Sequence, residues 1–351
     1  MLDFDSCAIE KVVVHHVGNK HNLEGVKVSD QLCEVGENLN HMFRTYFFNA
    51  FKNVNTFYHF VSENGMDRHV LNNSAFKIFG GGNFIDCSKD ILDHLYEQSD
   101  HPHVRSGDLF IAKFNNVIAD DEVVEAIGIF KAERKERFIS VDEEINEEVL
   151  QVGIQQGLNI HKLDKGVIIF DTNKEDGYKL VTIDSNNYDA VYWMDDFLSI
   201  DVFEDKHFYT KNAINLIKGF AEDVIKPNND TKEQVNMLNQ SVNYLKEEDS
   251  FDLDRFADQV IKEPAYVDEF KNYAKVLEQE RGLKVNEVFE IAPIAVKQAK
   301  KEFKSVISLD TNMQIKLDFR NPESSQQFLE RGFDQEKEMY FYKVYFNRET
   351  K

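Results

Sequence analysis

Four lysines near the carboxyl end of the chain have the type and spacing to bind a polyanion. They recur at three- and four-residue intervals, almost without opposing acid: Lys297, Lys300, Lys301 and Lys304. On a helix of about 3.6 residues per turn, these positions share roughly one third of the circumference. Ammonium groups that neutralise phosphates release condensed counterions, so the pattern predicts salt-dependent contact with DNA or RNA. The alternative is an ordinary solvated helix face.

A second group of cations lies in the middle of the chain, where acids interrupt it. We take Arg134, Lys135 and Arg137 as second-choice phosphate contacts, although Glu133 and Glu136 cancel part of their charge. A charged turn or an exposed edge strand accounts for the same composition. The sequence therefore ranks this group below the four lysines.

The same segment contains the residues for a metal-dependent nuclease. Asp121, followed by Glu133 and Lys135, has the order of a site in which carboxylates hold magnesium and a lysine assists the attack of water. Short charged matches arise easily in a chain with this many charges, so we keep the nuclease only as a lower alternative. The sequence has no other catalytic signature, and we predict no enzymatic activity, no metal and no cofactor.

The four lysines need a helix that packs on its other side. Within the helical stretch 286–303, the apolar positions fall opposite the lysines: Ala292, Ala295, Ala299 and Phe303. A strand-like run at 313–319 follows soon after, and its Lys316 is an additional candidate contact. The sequence thus predicts one packed face and one cationic face.

The remaining elements indicate an α+β protein of two domains. The first domain, residues 1–228, contains a strand at 8–17, a long helix from Ser29-Asp30 to about Phe51, and an antiparallel meander between 106 and 183. Pro227 and the asparagines after it indicate a linker. The second domain, residues 229–351, is mainly helical and ends in a small antiparallel sheet. Its predicted helices and strands are 231–247, 252–262, 264–281, 286–303, 305–309, 313–319 and 339–346.

Charge is distributed unevenly between the two parts of the chain. The formal net charge is −22 in total, with −18 on residues 1–225 and −4 on residues 226–351. An acidic body with one basic stripe meets a polyanion at one place and repels it elsewhere. The alternative is that the acidic domain mimics DNA and docks basic nucleoid or repair proteins. The acidic run at 142–148 repels nucleic acid, and it serves either to keep the protein soluble or to cover a basic surface of a partner.

The cysteine content and the hydropathy of the sequence indicate the cellular compartment. The 3 cysteines are widely spaced and odd in number, which is typical of a reducing cytoplasm. No signal peptide is recognisable at the start, and no apolar run approaches the roughly 18 residues of a membrane span. We therefore expect a cytoplasmic protein without membrane contact.

Several segments spread along the chain carry a resemblance to a known family. They are the opening strand with His15-His16, the runs 107–112 and 123–130, the helix entry from Asp195 to Phe220, and the basic helix with the strand after it. In their order along the chain and in their residue patterns, these segments resemble bacterial nucleoid-associated proteins of the NdpA/YejK type. The glycine-rich loop that the family has after its basic helix is absent here.

The resemblance implies a location and a set of partners. Members of the family are cytoplasmic, associate with the bacterial nucleoid, are acidic overall and have no known enzymatic activity. The resemblance also implies a homodimer. The lysine pattern predicts nonspecific binding of double-stranded DNA through its phosphates, and the charge of the acidic N-terminal domain leaves open a basic protein as a further partner.

Overall fold

The computed structural model divides the protein into two compact units, Met1–Phe203 and Glu204–Lys351. It describes residues 2–52, 54, 56–119, 122–143, 150–185, 192–228, 231–303, 306–316 and 328–348. At residues 142, 143, 228, 231, 281, 298, 301, 302, 306 and 308 the description covers the backbone alone.

The first unit combines strands and helices, in agreement with the predicted mixed domain. Its strands are β1 Ala8–Val17, β2 Tyr58–Phe60, β3 Gly107–Ala119, β4 Glu122–Ala132, β5 Glu136–Glu143, β6 Leu150–Gly157, β7 Lys165–Phe170, β8 Leu180–Asp184 and β9 Ile200–Val202. Its helices are α1 Glu37–Phe48, α2 Val70–Phe79 and α3 Phe84–Glu97, with 3-10 turns at Asn49–Phe51, Met66–Arg68 and Lys174–Asp176 and a π-helical segment at Tyr192–Leu198.

Seven strands form one antiparallel sheet, in the order β1-β3-β4-β7-β8-β2-β9. Alternate residues of its central strands enter two different cores. Ile127 and Ile129 pack on the side of α2 and α3, whereas Phe130 packs on the side of α1, where its ring stacks on that of Phe47 at 4.3 Å. Because both faces are covered, the central strands are apolar almost throughout. The strands β5 and β6 form a separate two-stranded sheet.

The predicted meander is confirmed, but the predicted start of the first long helix is wrong. The helix α1 begins at Glu37, and the segment before it runs beside β1 instead. There the backbone N–H of Cys33 donates to the carbonyl of Val12 at 2.8 Å, and that of Ser29 donates to Nδ1 of His15 at 3.0 Å. Tertiary hydrogen bonds along β1 take up these backbone groups, so the local capping signal is not used.

The second unit is mainly helical and ends in short strands. Its helices are α4 Lys206–Phe220, α5 Lys226–Asn228, α6 Thr231–Glu247, α7 Leu253–Phe256, α8 Pro264–Arg281 and α9 Pro293–Glu302, with π-helical segments at Ala221–Ile225 and Ala257–Ile261. Its strands are β10 Ser250–Asp252, β11 Val288–Glu290, β12 Val306–Ser308, β13 Gln314–Lys316, β14 Leu329–Asp334 and β15 Met339–Val344. The α+β class, with a small antiparallel sheet near the carboxyl end, is confirmed.

The division between the units lies at Phe203/Glu204, upstream of the linker that proline and asparagine indicated at 228/229. The reason is the packing of α4. Its residues Leu216, Ile217 and Phe220 share one apolar core with α6, α8 and α9, so α4 belongs to the second unit. The strand β14, which the sequence did not indicate, pairs with β15 in this unit.

Candidate nucleic-acid interface

The helix α9 has the two faces that its sequence predicts. Pro293 occupies its first turn, and the N–H of Ala292 just before it donates to Thr210 Oγ1 at 2.9 Å. Ala295 and Ala299 are buried against α4 and α6. Small side chains at these positions let the helix lie close on its neighbours. The opposite face is thereby held towards solvent.

The described lysines of that face are exposed and close together in space. Lys297 and Lys300 stand one turn apart, and neither forms an ion pair with an acid among the residues that the structure describes. Lys301 follows at the last turn of the helix, where only its backbone is described. Lys304 lies outside the described residues. The structure therefore brings together the described part of the predicted lysine face.

A lysine from another helix joins this face, and no pattern in the sequence predicts it there. Lys246, in the last turn of α6, lies close enough to Lys300 for the two charges to interact. Partial burial and the neighbouring ammonium of Lys300 lower the pKa of Lys246, while Glu247 acts weakly in the opposite direction. A phosphate bound between the two lysines would relieve their repulsion. We call Lys246, Lys297, Lys300 and Lys301 the lysine face.

Lys316 lies near the end of α9 through strand pairing. It is exposed at the end of β13 and pairs in register with Val306, the first residue of β12. Val306 follows soon after Glu302, where α9 ends. Cations are favoured beside the carboxyl end of a helix, where the backbone dipole is negative. The predicted contact Lys316 is thus an exposed residue of the small sheet that follows α9.

The second group of cations is different because carboxylates accompany it. Lys135 Nζ lies 2.7 Å from Asp108 Oδ2, and Arg134 Nε lies 3.6 Å from Asp164 Oδ1. Asp164 also accepts the backbone N–H groups of Glu133 and Arg134, at 2.8 and 3.2 Å. Of the three predicted cations, Arg137 alone stands without an ion pair among the described residues. The charges of Arg134 and Lys135 are largely compensated by the neighbouring carboxylates.

The described residues give the nuclease alternative no support. The side chains of Glu133 and Lys131 are both fully buried, with the Glu133 carboxylate 3.1 Å from Lys131 Nζ. Lys135 is engaged by Asp108, and Asp121 lies outside the described residues. Within the part of the chain that the structure describes, no group of His, Cys, Asp and Glu side chains is arranged to hold a metal ion. A buried carboxylate paired with lysine does not coordinate a hydrated magnesium ion.

The first unit is much more acidic than the second. Residues 1–203 hold 18 Lys and Arg against 35 Asp and Glu, whereas residues 204–351 hold 23 against 28. The acidic run at 142–148 follows the exposed part of β5, and its residues 144–148 lie outside the described part of the chain. No helix within the described ranges combines the length and apolar character needed to cross a bilayer.

The fold and the charge distribution define a two-unit α+β protein that is acidic overall and carries a local lysine face. A family model described as nucleoid-associated protein YejK matches residues 13–340, which is most of the chain. The chain therefore belongs to the YejK family of nucleoid-associated proteins. Among curated proteins, none matches the chain significantly.

Proposed function

We propose that the protein is a non-enzymatic, nucleoid-associated protein of the cytoplasm that binds double-stranded DNA by its phosphates, without strong sequence preference. The lysine face, extended by Lys304 and Lys316, makes the contacts. The observation that carries the proposal is the exposed cationic side of α9, where Lys297 and Lys300 stand one turn apart with no ion pair among the described residues. The nearby Lys246 of α6 adds a third ammonium group, and neighbouring ammonium groups attract a phosphate. The proposal includes a homodimer.

Membership of the family supports the proposal, and the acidic first unit restricts it. Lysines on one helix face position a DNA backbone but carry little information about bases. The remaining acidic surface repels DNA, so a duplex has one preferred place to lie. The expected complex is therefore local, nonspecific and sensitive to salt.

Salt titration of duplex affinity tests the assignment to this face. We would measure fluorescence anisotropy of a labelled duplex for the wild type and for the triple variant Lys297→Gln, Lys300→Gln and Lys301→Gln. Each lost phosphate contact lowers the slope of log affinity against log salt by about 0.9, so the triple variant should lose about 2.7.

A matched variant separates position from total charge. Arg134→Gln, Lys135→Gln and Arg137→Gln together remove the same three charges from the second group. Since two of these cations are already paired, the slope should fall by less than about 1. Equal losses in the two triple variants would show that DNA responds to net charge and not to the lysine face.

The second candidate function is docking of a basic protein on the first unit. The excess of acids in residues 1–203 is the observation that favours it. If it is the main function, the wild type should not retain duplex DNA at about 0.1 M salt, where charges are only partly screened. A basic nucleoid or repair protein should then bind, and the triple lysine variant should bind that protein unchanged.

A further inference from the structure

A segment that precedes α1 covers the outer edge of the large sheet. The terminal strand of that sheet is β1, whose other side pairs with β3. Residues 27–33, which we call the strap, run along the remaining edge of β1. The backbone groups of His16 and Lys27 hydrogen-bond to each other at 2.9 and 2.8 Å, and the N–H of Cys33 donates to the carbonyl of Val12 at 2.8 Å. The strap thus satisfies backbone groups that a terminal strand otherwise exposes.

The middle of the strap is held by the side chain of a histidine. The N–H of Ser29 donates to Nδ1 of His15 at 3.0 Å, and its hydroxyl donates to the carbonyl of Val14. His15 is only 2% exposed. Its Nε2 lies 3.0 Å from Oγ of Ser88 on α3, and the Ser88 hydroxyl donates to the carbonyl of Ile85 at 2.7 Å. The imidazole ring therefore joins the strap to α3.

These hydrogen bonds determine the protonation state of His15. A backbone N–H only donates, so Nδ1 carries the lone pair that accepts from Ser29. Nε2 then carries the single ring proton and donates it to Ser88, and the ring is neutral. A second proton would bind to Nδ1, where it would face the N–H of Ser29. Two donors do not form a hydrogen bond, so protonation breaks the link between the ring and the strap.

The charged groups around His15 lie on α3 and on the strap. Burial, followed by the ammonium of Lys89, lowers the pKa of His15, and the carboxylates of Asp30 and Asp93 act weakly in the opposite direction. Asp30, on the strap, is itself 2.5 Å from Lys89 Nζ. The residue paired with His15 on β3 is the apolar Leu109. The neutral ring is therefore the stable form while the strap is closed.

The strap has few buried contacts of its own. Of residues 27–33, Ser29 and Cys33 are partly buried and the other five are exposed. The ion pair of Asp30 with Lys89 is exposed on the Asp30 side, and such pairs contribute little to stability. Segments with few buried contacts open at a lower free-energy cost than core strands. The hydrogen bond to His15 is therefore a large part of what keeps the strap closed.

We propose that the strap is a pH-sensitive cover of the sheet edge, closed by neutral His15 and released when His15 takes a proton on Nδ1. Release removes the partners of the Val12 and Val14 carbonyls and of both backbone groups of His16, which leaves the edge of β1 open. The inference goes beyond the proposed function and uses none of the contacts of the lysine face.

The direction of the pH dependence follows from the depressed pKa. In the open strap, His15 titrates near its ordinary pKa of about 6.5, whereas the closed strap resists protonation. The cost of opening is therefore constant well above that pH, and below it opening becomes easier by up to about tenfold per pH unit. This continues until the pH reaches the depressed pKa of the closed form.

Hydrogen exchange of the whole chain, followed by mass spectrometry, tests this release. We would compare the protection factor of a peptide covering the strap at several pH values. It should be constant above about pH 7.5 and several-fold lower at about pH 5.5, while peptides from β4 and β7 keep their protection. An equal decline in all peptides would indicate general acid unfolding and would overturn the proposal.

Three variants assign the decline to His15. His15→Asn places an oxygen near the position of Nδ1 and takes up no proton, so the strap should keep one protection factor throughout the pH range. Ser29→Pro removes the N–H that meets Nδ1 and lies in the exposed segment, so protection should be low and independent of pH. His16→Asn is the matched control, because the His16 ring pairs with Asp108 and not with the strap, and it should retain the wild-type decline.

The outcomes are separable from a general loss of stability. Far-UV circular dichroism identifies a variant that does not fold, and Ser29→Pro carries the test if His15→Asn is such a variant. A wild-type protection factor that stays constant down to about pH 5 would overturn the proposal. A decline that persists in a folded His15→Asn or in Ser29→Pro would overturn it as well, since neither variant keeps the titrating link.

Discussion

The lysine face and the cations at the base of β5 contain similar residues in opposite surroundings. On α9, Ala295 and Ala299 pack inward and leave Lys297 and Lys300 without carboxylate partners among the described residues. At the start of β5, Lys135 and Arg134 lie beside Asp108 and Asp164. The two groups look alike as short basic runs in the sequence.

The difference shows that the number of cations alone does not indicate a polyanion site. What matters is how many of them have no carboxylate nearby to compensate their charge. A cation within 4 Å of a carboxylate offers little net field to a phosphate, because the acid must first be displaced. The paired cations stabilise the fold, and we expect phosphate to bind the lysines that have no carboxylate partner among the described residues. The approach of Lys246 to Lys300 adds to the contrast, since there like charges are held side by side.

The largest effect should come from the most deeply paired cation, Lys131. Lys131→Ala removes the partner of the buried Glu133 carboxylate, and loss of one member of a buried pair costs about 3–5 kcal/mol. Urea denaturation should show this loss in the free energy of unfolding. Lys135→Ala, which breaks an exposed pair, should cost less than about 1 kcal/mol. Similar losses in the two variants would remove the distinction between structural and available cations.

Reversing the charge of the lysine face should nearly abolish DNA binding. Lys297→Glu, Lys300→Glu and Lys301→Glu together remove three phosphate contacts and introduce repulsion, so duplex affinity should fall by at least about hundredfold. Anisotropy at constant salt measures the change. Lys297 and Lys300 are exposed, so we expect an unfolding midpoint close to that of the wild type. A variant that folds normally yet binds like the wild type would contradict the assignment.

Removing an acid from the second group should convert a paired cation into an available one. Asp108→Asn keeps the shape of the side chain but frees the charge of Lys135. Duplex affinity should then rise a few-fold, and the salt slope should steepen by up to about 0.9. Adding Lys135→Gln to this variant should return the slope to its original value, and a slope that stays unchanged in Asp108→Asn would count against the comparison.

The same substitution should change the acid stability of the protein. Burial alone would raise the pKa of Asp108, but hydrogen bonds from Lys135 and His16 outweigh it and hold the pKa below its ordinary value. A depressed pKa stabilises the fold above the ordinary value near about 4, and this stability disappears as the pH falls through the folded-state pKa. Asp108→Asn should therefore flatten the acid limb of stability against pH, as urea titrations between pH 6 and 2 would show.

The smallest effects should come from Lys246, whose substitution should stabilise the fold slightly and weaken DNA binding. Lys246→Gln relieves repulsion with Lys300, so the free energy of unfolding should rise by about 0.3 kcal/mol. The same substitution removes a phosphate contact, so the salt slope of DNA binding should fall by about 0.9. Lys275→Gln, at an exposed position of α8, is the matched control and should change neither quantity appreciably.

Local patterns in the sequence predicted much of this protein correctly. Apolar periodicity predicted the strands of the central meander and the extent of α6. Pro264 and Gly282 marked the two ends of α8. The helical spacing of the lysines predicted the opposed faces of α9. These features depend on neighbours within a few residues, which a single sequence displays directly. The match of the family model confirms the resemblance that the order of elements indicated.

Predictions from the sequence failed where contacts between residues far apart in the chain decide the local structure. Ser29-Asp30 has the composition of a helix start, but β1 takes up the backbone of that segment. Proline after α4 indicated a domain boundary, yet the apolar side of α4 packs with helices that follow it. Hydrophobic packing outweighs a local breaker signal, because burial of a whole helix face contributes more than one cap or turn.

The sequence by itself determined that this is an α+β protein with an acidic first part and a lysine stripe at helical spacing. Only the tertiary structure decided which cations are available. It placed Asp108 and Asp164 beside Lys135 and Arg134, just before β5, and it brought Lys246 of α6 close to Lys300. The physical reason is that charge compensation acts through space, over a few ångströms, between residues that stand far apart in the chain.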